Sequence, residues 1–209
     1  MTNRTDAQTN CIDAYAAKTG VGDGSVTPTM VSEFIQVLLN NSAMLDEVPD
    51  KSGIADYNDT STTATPINLV ANTWTTITND GAGAFTNLNY LPDGTTSLMD
   101  TSTGAFDFSQ LELGDNVLVR NDYEVTPNIN NALLELRYQL GVNSGVYTLP
   151  TVISRLDDGS GKPYRFSLKP DMIYMGDTNT QNNPIAVQLK LSSNGSVVNF
   201  GSAIGVIKR

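Results

Sequence analysis

No histidine occurs anywhere in the 209 residues. Its absence removes Ser-His-Asp and Cys-His nucleophilic machinery, together with His-ligated zinc and iron sites. Cys11 is the single cysteine, so no intrachain disulfide can close and no Cys-based zinc site can be built. It reads as a small buried hydrophobe or an interchain contact. No apolar run approaches the ~18–20 residues of a membrane span. The opening MTNRTDAQTN has no apolar core of ~7–15 residues, so no secretory leader is expected. Cations are scarce too: 12 Lys and Arg against 22 Asp and Glu give a net charge of −10. Counterion release from a phosphate backbone needs clustered Lys and Arg, so neither nucleic acid nor an anionic membrane is an expected partner. Charged residues of all kinds make up only 16%, below the ~25% of an average domain. Thr, Asn, Ser and Gly must therefore supply the polar groups of the surface.

What is present divides in texture near residue 65. At ~100–200 residues per domain, the length suits one β domain with an appendage. Residues 6–18 place Ala7, Cys11, Ala14 and Lys18 on one helical stripe, with Gly20 placed to cap it. A second helix starts at Thr27, an N-cap residue, with Pro28 in the first helical position. In it Val31, Phe34, Ile35 and Leu38 recur on one face, widened by Val37 and Leu39. That face can pack on a neighbouring copy or on the chain's own β region, or it can dock on another protein. Residues 49–65 are rich in Asp, Ser, Thr and Gly, with only Ile54 and Tyr57 large and apolar, and read as a linker. The expected organisation is an N-terminal arm over 1–65 and a β head over 66–209.

From Pro66 the period becomes two. Residues 67–78 are β-branched and carry Trp74, expected in the core. Val117, Val119, Tyr123 and Val125 share one parity, after a turn or bulge at Gly114-Asp115. Leu134, Leu136, Tyr138 and Leu140 alternate with Glu135, Arg137 and Gln139, which describes a half-buried strand. The segment 164–169 alternates, as do Ile185, Val187, Leu189 and Leu191 against Gln188 and Lys190. Ser193-Asn194-Gly195-Ser196 is a hairpin signal before a last strand from Val197 to Ile207. Many short strands at even spacing indicate a sandwich or jelly roll.

Little here carries chemistry. The run from Asp157 to Lys162 is no phosphate loop, because Leu156 stands where the first Gly is required and Pro163 follows the Lys. Leu168 occupies the twelfth position, where a calcium loop needs Glu. The run is expected to be a turn. Paired carboxylates can hydrolyse glycosides without histidine, and Asp107, Glu112, Asp115, Asp122 and Glu124, with Glu135 as a further one, are the candidates to check. Asp93 and Asp115 sit in turn signals, and Glu135 alternates with Arg137 as solvent-facing charges do. The Asn-X-Ser/Thr triplets at Asn3, Asn58 and Asn194 are expected by chance in such a composition. No cofactor or metal site is expected.

The segments Phe106-Asp107-Phe108, 111–115, 117–120, 130–141 and 164–176 occur in a familiar order. They resemble the jelly-roll heads of tailed-bacteriophage virion proteins, of the head decoration, head fibre and tail types, which are similar to tumour necrosis factor modules. The resemblance implies a mainly β, TNF-like jelly-roll/β-sandwich head behind a short α-helical N-terminal arm. It further implies a homotrimer without enzymatic activity, made in a bacterial host cytoplasm and placed on the capsid surface of a virion. Its partner there is the major capsid protein or another virion protein, reached through Val31, Phe34, Ile35, Leu38 and Leu39. The implied function is that of a capsid decoration or cement protein. The alternative is the receptor- or glycan-binding tip of a head fibre or tail fibre, with Trp74, Tyr147 and Tyr174 against a host-surface glycan. The family's long Gly-rich or coiled-coil shafts have no counterpart in this sequence.

Overall fold

A computed structural model describes residues 32–33, 36–37, 50–141 and 146–209. Met1–Pro49 and Asp50–Arg209 are separate units. In the first, Ser32, Glu33, Gln36 and Val37 are helical, within the range read as the second helix. The helix over 6–18, Cys11, and the partner residues Val31, Phe34, Ile35, Leu38 and Leu39 lie outside the described residues.

The second unit opens with β1 (Ser52–Tyr57), α1 (Ser61–Ala64), β2 (Ile67–Leu69), β3 (Thr75–Thr76) and β4 (Asn87–Tyr90). A short ribbon of β5 (Met99–Asp100) and β6 (Ala105–Phe106) leads to the long strands β7 (Asn116–Pro127), β8 (Ala132–Leu140) and β9 (Tyr147–Leu156). Then come β10 (Tyr164–Ser167), β11 (Asp171–Tyr174), α2 (Thr178–Asn182), β12 (Ala186–Leu191) and β13 (Gly195–Ile207). The antiparallel pairings are nested. β1 pairs with β13, β3 with β12, β7 with β10 and β11, and β8 with β9. Rolling such a ribbon yields two sheets, here a seven-stranded one ordered β4-β1-β13-β7-β10 and a four-stranded one ordered β3-β12-β8-β9. In the larger sheet β2 flanks β13 and β11 flanks β7. First strand with last, then β3 with the second-last strand, then β7 with β10 and β11 around β8 with β9, is the nested wiring of a jelly roll, so the protein is mainly β with a jelly-roll sandwich as its head.

The period-two reading of the long strands holds residue for residue. Val117, Val119, Tyr123 and Val125 of β7 point inward, as do Val197, Ile204 and Val206 of β13. They meet Leu134, Leu136, Tyr138 and Leu140 of β8 and Val187, Leu189 and Leu191 of β12. Phe106 stacks on Phe108 with centroids 5.9 Å apart, and Tyr138 lies 6.5 Å from Phe106. One polar chain crosses between the sheets. Ser202 Oγ donates to Asn121 Oδ1 at 2.7 Å, and Asn121 Nδ2 donates to Tyr138 Oη at 2.8 Å. Burial of these groups is affordable only because each has a partner. It also pushes the Tyr138 phenol far above its ordinary pKa.

Several expectations are corrected. The range 49–65 is not a linker: β1 lies inside the larger sheet between β13 and β4, and α1 follows it within the same unit. The boundary therefore falls after Pro49 rather than at 65. Ala55 and Tyr57 face inward, and Tyr57 Oη accepts the Leu98 N–H at 2.7 Å. The Asp/Thr-rich stretch behind β1 is polar because it builds a knot. The buried Asp59 carboxylate accepts from Ser61 Oγ, the Thr62 N–H and hydroxyl, and the Asp80 N–H. Thr62 Oγ1 in turn accepts the Asn199 N–H at 2.8 Å, tying the knot to β13. Residues 67–78 are two strands in different sheets, joined by a corner in which Asn72 adopts φ 58°. The 193–196 turn likewise passes from β12 in one sheet to β13 in the other, so it closes no hairpin. β9 has no counterpart in the sequence reading; it is an edge strand that carries Pro150, which an edge tolerates.

Two substitutions test this packing. Asp59→Ala strands several buried donors and is expected to lower stability by about 2–3 kcal/mol in urea melts. Gly201, at the register shift of β13, has φ 133°, and a Cβ there would run into Tyr57 O. Gly201→Ala is therefore expected to destabilise by more than about 1 kcal/mol in the same assay. A pH effect follows from Asp80. Partial desolvation acts to raise its pKa, yet the Ala82 N–H and the Thr60 hydroxyl and N–H hold it down at about 2, from 3.8. A depressed carboxyl stabilises the fold above its unfolded pKa and loses that contribution as pH falls through the folded value. The urea midpoint is thus expected to drop between pH 4 and 2, and to drop less in Asp80→Asn.

Candidate assembly surface

Because β1 turns Ala55 and Tyr57 inward, Ile54 and Asp56 face outward. The same alternation puts Leu118 of β7 and Met172 of β11 on that outer face. The registers then align them. Tyr90 pairs with Ile54, Ile54 with Gly205, Gly205 with Leu118, and Leu118 with Met172. One apolar row therefore crosses five strands, a span of roughly 19 Å at the usual inter-strand spacing. The next row on the same side contains Ile207, Asn116 and Tyr174. Tyr90 is 67% exposed, Met172 63%, Ile54 47% and Leu118 39%. Gly205 contributes no side chain, and beside it Ser52, Ile54, Tyr90, Leu118 and Ile207 line an open depression of about 630 Å³.

Two cations beside this strip are committed locally. Lys208 Nζ donates to Asp93 O at 2.6 Å, and Lys51 Nζ to Arg209 O at 2.9 Å. Farther along the same face the surface turns polar. Arg120 pairs with Asp122 at 3.2 Å, Ser167 Oγ donates to Asp122 at 2.7 Å, and the Arg165 guanidinium lies 4.0 Å from the Phe200 ring centre. Contiguous exposed apolar surface of this kind marks an interaction site more often than a solvated face.

The residues singled out from sequence are distributed differently. The arm residues lie outside the described residues. Trp74 is not in the core: it is half-buried on the outer face of the smaller sheet, beside Arg137 and Lys190. Tyr147 is exposed at the start of β9, and Tyr174 belongs to the apolar strip. Asp93 and the candidates Asp107, Asp115, Asp122 and Glu135 serve local structure. Asp107 accepts the Ser109 N–H, and Asp93 accepts that of Asp50. Asp115 accepts from the N–H groups of Glu112 and Arg209, and Glu135 pairs with Lys190 at 2.7 Å. The run 157–162 is a turn, with Gly159 and Gly161 at positive φ and the Gly161 N–H bonded to Pro127 O at 2.7 Å. Ile54, Tyr90, Leu118 and Met172 were not singled out for partner binding, because only cross-strand register brings them together.

No protein-family model matches the chain, and no curated protein does either. Among solved structures the chain is similar to Eiger TNF from S. frugiperda, at 11% identity and a TM-score of 0.39, over 76% of this chain and 93% of that one. It is similar to a chain of infectious bursal disease virus Gx strain, at 11% identity and a TM-score of 0.37, over 77% of this chain and 32% of that one. PRD1 vertex protein P5 matches at 14% identity and a TM-score of 0.33, over 77% of this chain and 99% of that one.

Gly205 gives a direct test of whether the strip is a free surface. A Cβ there would meet only Leu118, its nearest atom 3.8 Å away. Gly205→Glu is accordingly expected to leave the stability of the folded head within about 0.5 kcal/mol by urea melt. Any self-association, read by sedimentation, is expected to weaken.

Proposed function

We propose that this protein is a structural component of a bacteriophage virion, a trimeric decoration or cement protein on the outside of the capsid. The observation that carries the reading is the registered apolar row Tyr90–Ile54–Gly205–Leu118–Met172 on the outer face of the larger sheet. Three heads meet through this face. The resemblance of the segments over 105–192 to phage jelly-roll heads supports the placement in a virion. The arm, which ends at Pro49, attaches the trimer through Val31, Phe34, Ile35, Leu38 and Leu39 to the major capsid protein or another virion protein. The function is mechanical: a trimer that grips several capsid subunits adds contacts that must break together, because each bound arm raises the effective concentration of the others.

Two experiments separate the face from the arm. Ile54→Asp with Leu118→Asp places charge on the row without touching the core. Light scattering is expected to fall from three chain masses to one while the β circular-dichroism spectrum stays; an unchanged mass contradicts the role of this face. Deleting residues 1–49 is expected to leave the head folded and trimeric but unable to bind capsids. A longer deletion through residue 60 removes β1 and is expected to unfold the head. Within the arm, each fully buried apolar side chain contributes ~1.5–3 kcal/mol. Phe34→Ala with Leu38→Ala is therefore expected to weaken capsid binding by at least about tenfold to a hundredfold, with little change in melting temperature.

A further inference from the structure

The loops that follow β1, β3 and β5 meet at one place in the head and carry a separate arrangement. Phe85, between β3 and β4, is 83% exposed, the most exposed of the large apolar side chains among the described residues. The turn that presents it is held from several directions. The Thr86 N–H donates to Gly83 O at 3.0 Å, the Gly83 N–H to Asn58 O at 2.9 Å, and the Asn58 N–H to Thr86 Oγ1 at 2.9 Å. Asp80 Oδ1 takes the Ala82 N–H at 3.0 Å. A Cβ on Gly83 would run into Asn58, so the turn sits directly on the residue that follows β1. The backbone is thus fixed while the Phe85 ring has no place in the core.

Charge of one sign surrounds it. Residues 52–119 contain eight Asp and Glu and no Lys or Arg. Asp80 and Asp100 are the two of these nearest the turn in the loops that build it. The loops touch: a Cβ on Gly81 would come within 2.8 Å of Thr101 Cγ2, and one on Gly104 would run into the Asn79 N. For Asp100 the Ser102 hydroxyl and N–H and the Thr103 hydroxyl hold the pKa below its ordinary value. Asp80 is lowered as well, against partial desolvation, so both carboxyls are ionised at neutral pH. Among the described residues no Lys or Arg is ion-paired with either. The apolar row differs in this respect, since Lys51 and Lys208 lie beside it.

We propose that the loops around Phe85 dock on a second protein whose surface offers an apolar hollow ringed by Lys and Arg, with Phe85 as the anchor. A buried aromatic anchor supplies the affinity of such a contact, and the complementary charges supply the choice of partner. A turn already held by its own hydrogen bonds costs little to order on binding. Anionic surfaces are repelled. A second copy of the chain would bring 22 acidic side chains and only 12 basic ones, so like charge opposes it as the occupant. Neither the arm nor the apolar row takes part, and the contact is additional to those of the proposed trimer.

The probe is a display library of random disulfide-closed peptides, selected on the full chain; enriched peptides are synthesised and titrated by calorimetry. The expected sequences combine Lys or Arg with apolar residues. Phe85→Ala is expected to weaken their binding at least about tenfold, with the urea midpoint unchanged. Asp80→Asn with Asp100→Asn keeps one accepting oxygen at each position and removes the charge. That pair is expected to weaken binding about tenfold and to flatten its dependence on salt. Should the pair not fold, the loss of affinity with added salt on the unsubstituted chain reads the same contribution. The proposal is overturned by no enrichment, by enriched peptides without excess Lys and Arg, by salt-independent binding, or by full affinity for the Phe85→Ala chain.

Discussion

The pairing of β7 with β13 is the constraint from which the rest of the head follows. It runs from Gly195 opposite Pro127 to Ile207 opposite Asn116, interrupted by the register shift between Asn199 and Gly201. These strands form the middle of the larger sheet, and each supplies inward residues to the core. Their register decides more than stability. Side chains alternate faces with a period of two, so a slip of one residue on β7 would bury Leu118 and expose Val117 and Val119. The actual register buries the valines and sets Gly205 between Ile54 and Leu118. The apolar strip is therefore a consequence of how β13 is seated. What seats it is the shift at Gly201 and the Asp59 knot, which bonds Asn199 through Thr62.

The two outer faces are chemically unlike, and the connectivity explains why. The larger sheet takes one side from β1, β13 and β11, whose outward residues include Ile54, Gly205, Ile207 and Met172. The smaller sheet draws on β8 and β12, whose outward residues are Glu135, Arg137, Gln188 and Lys190. One face presents an apolar row, the other charged and amide side chains. A sandwich with one apolar face tends to associate through it, since leaving that area in water forfeits roughly 25 cal/mol for each Å².

How much of this could be read from the sequence depended on the length and burial of each strand. The alternation over 117–125 and 134–140 was unambiguous, because both are long strands with one face in the core. The β1 segment, SGIADY, is short, and its inward residues Ala55 and Tyr57 are flanked by Asp and Ser used in hydrogen bonding. Composition alone therefore made it look like solvated linker. β9 is not legible because it is an edge strand with exposed Tyr147, Pro150 and Val152, where alternation is weak. The turn at Asn194-Gly195 was legible as a turn but not as a corner between sheets, since the same residues satisfy both. The outward placement of Trp74 is not legible for a similar reason: parity says which residues share a face, not which face is covered. The candidate surface was the least legible feature, because Tyr90, Ile54, Leu118 and Met172 are far apart in sequence and meet only through four separate registers.

In the proposed trimer the Tyr90–Ile54–Leu118–Met172 face is buried between copies of the chain. Hydroxyl-radical footprinting of the intact protein, read by mass spectrometry, measures this directly with internal controls. Met172 and Tyr90 lie on the face, while Phe85, 83% exposed, and Tyr147, 63% exposed, lie off the row. Each rate is normalised to that of the urea-unfolded chain. Strong protection of Met172 and Tyr90, with Phe85 and Tyr147 freely modified, is the expected result. Equal modification of all four would contradict it.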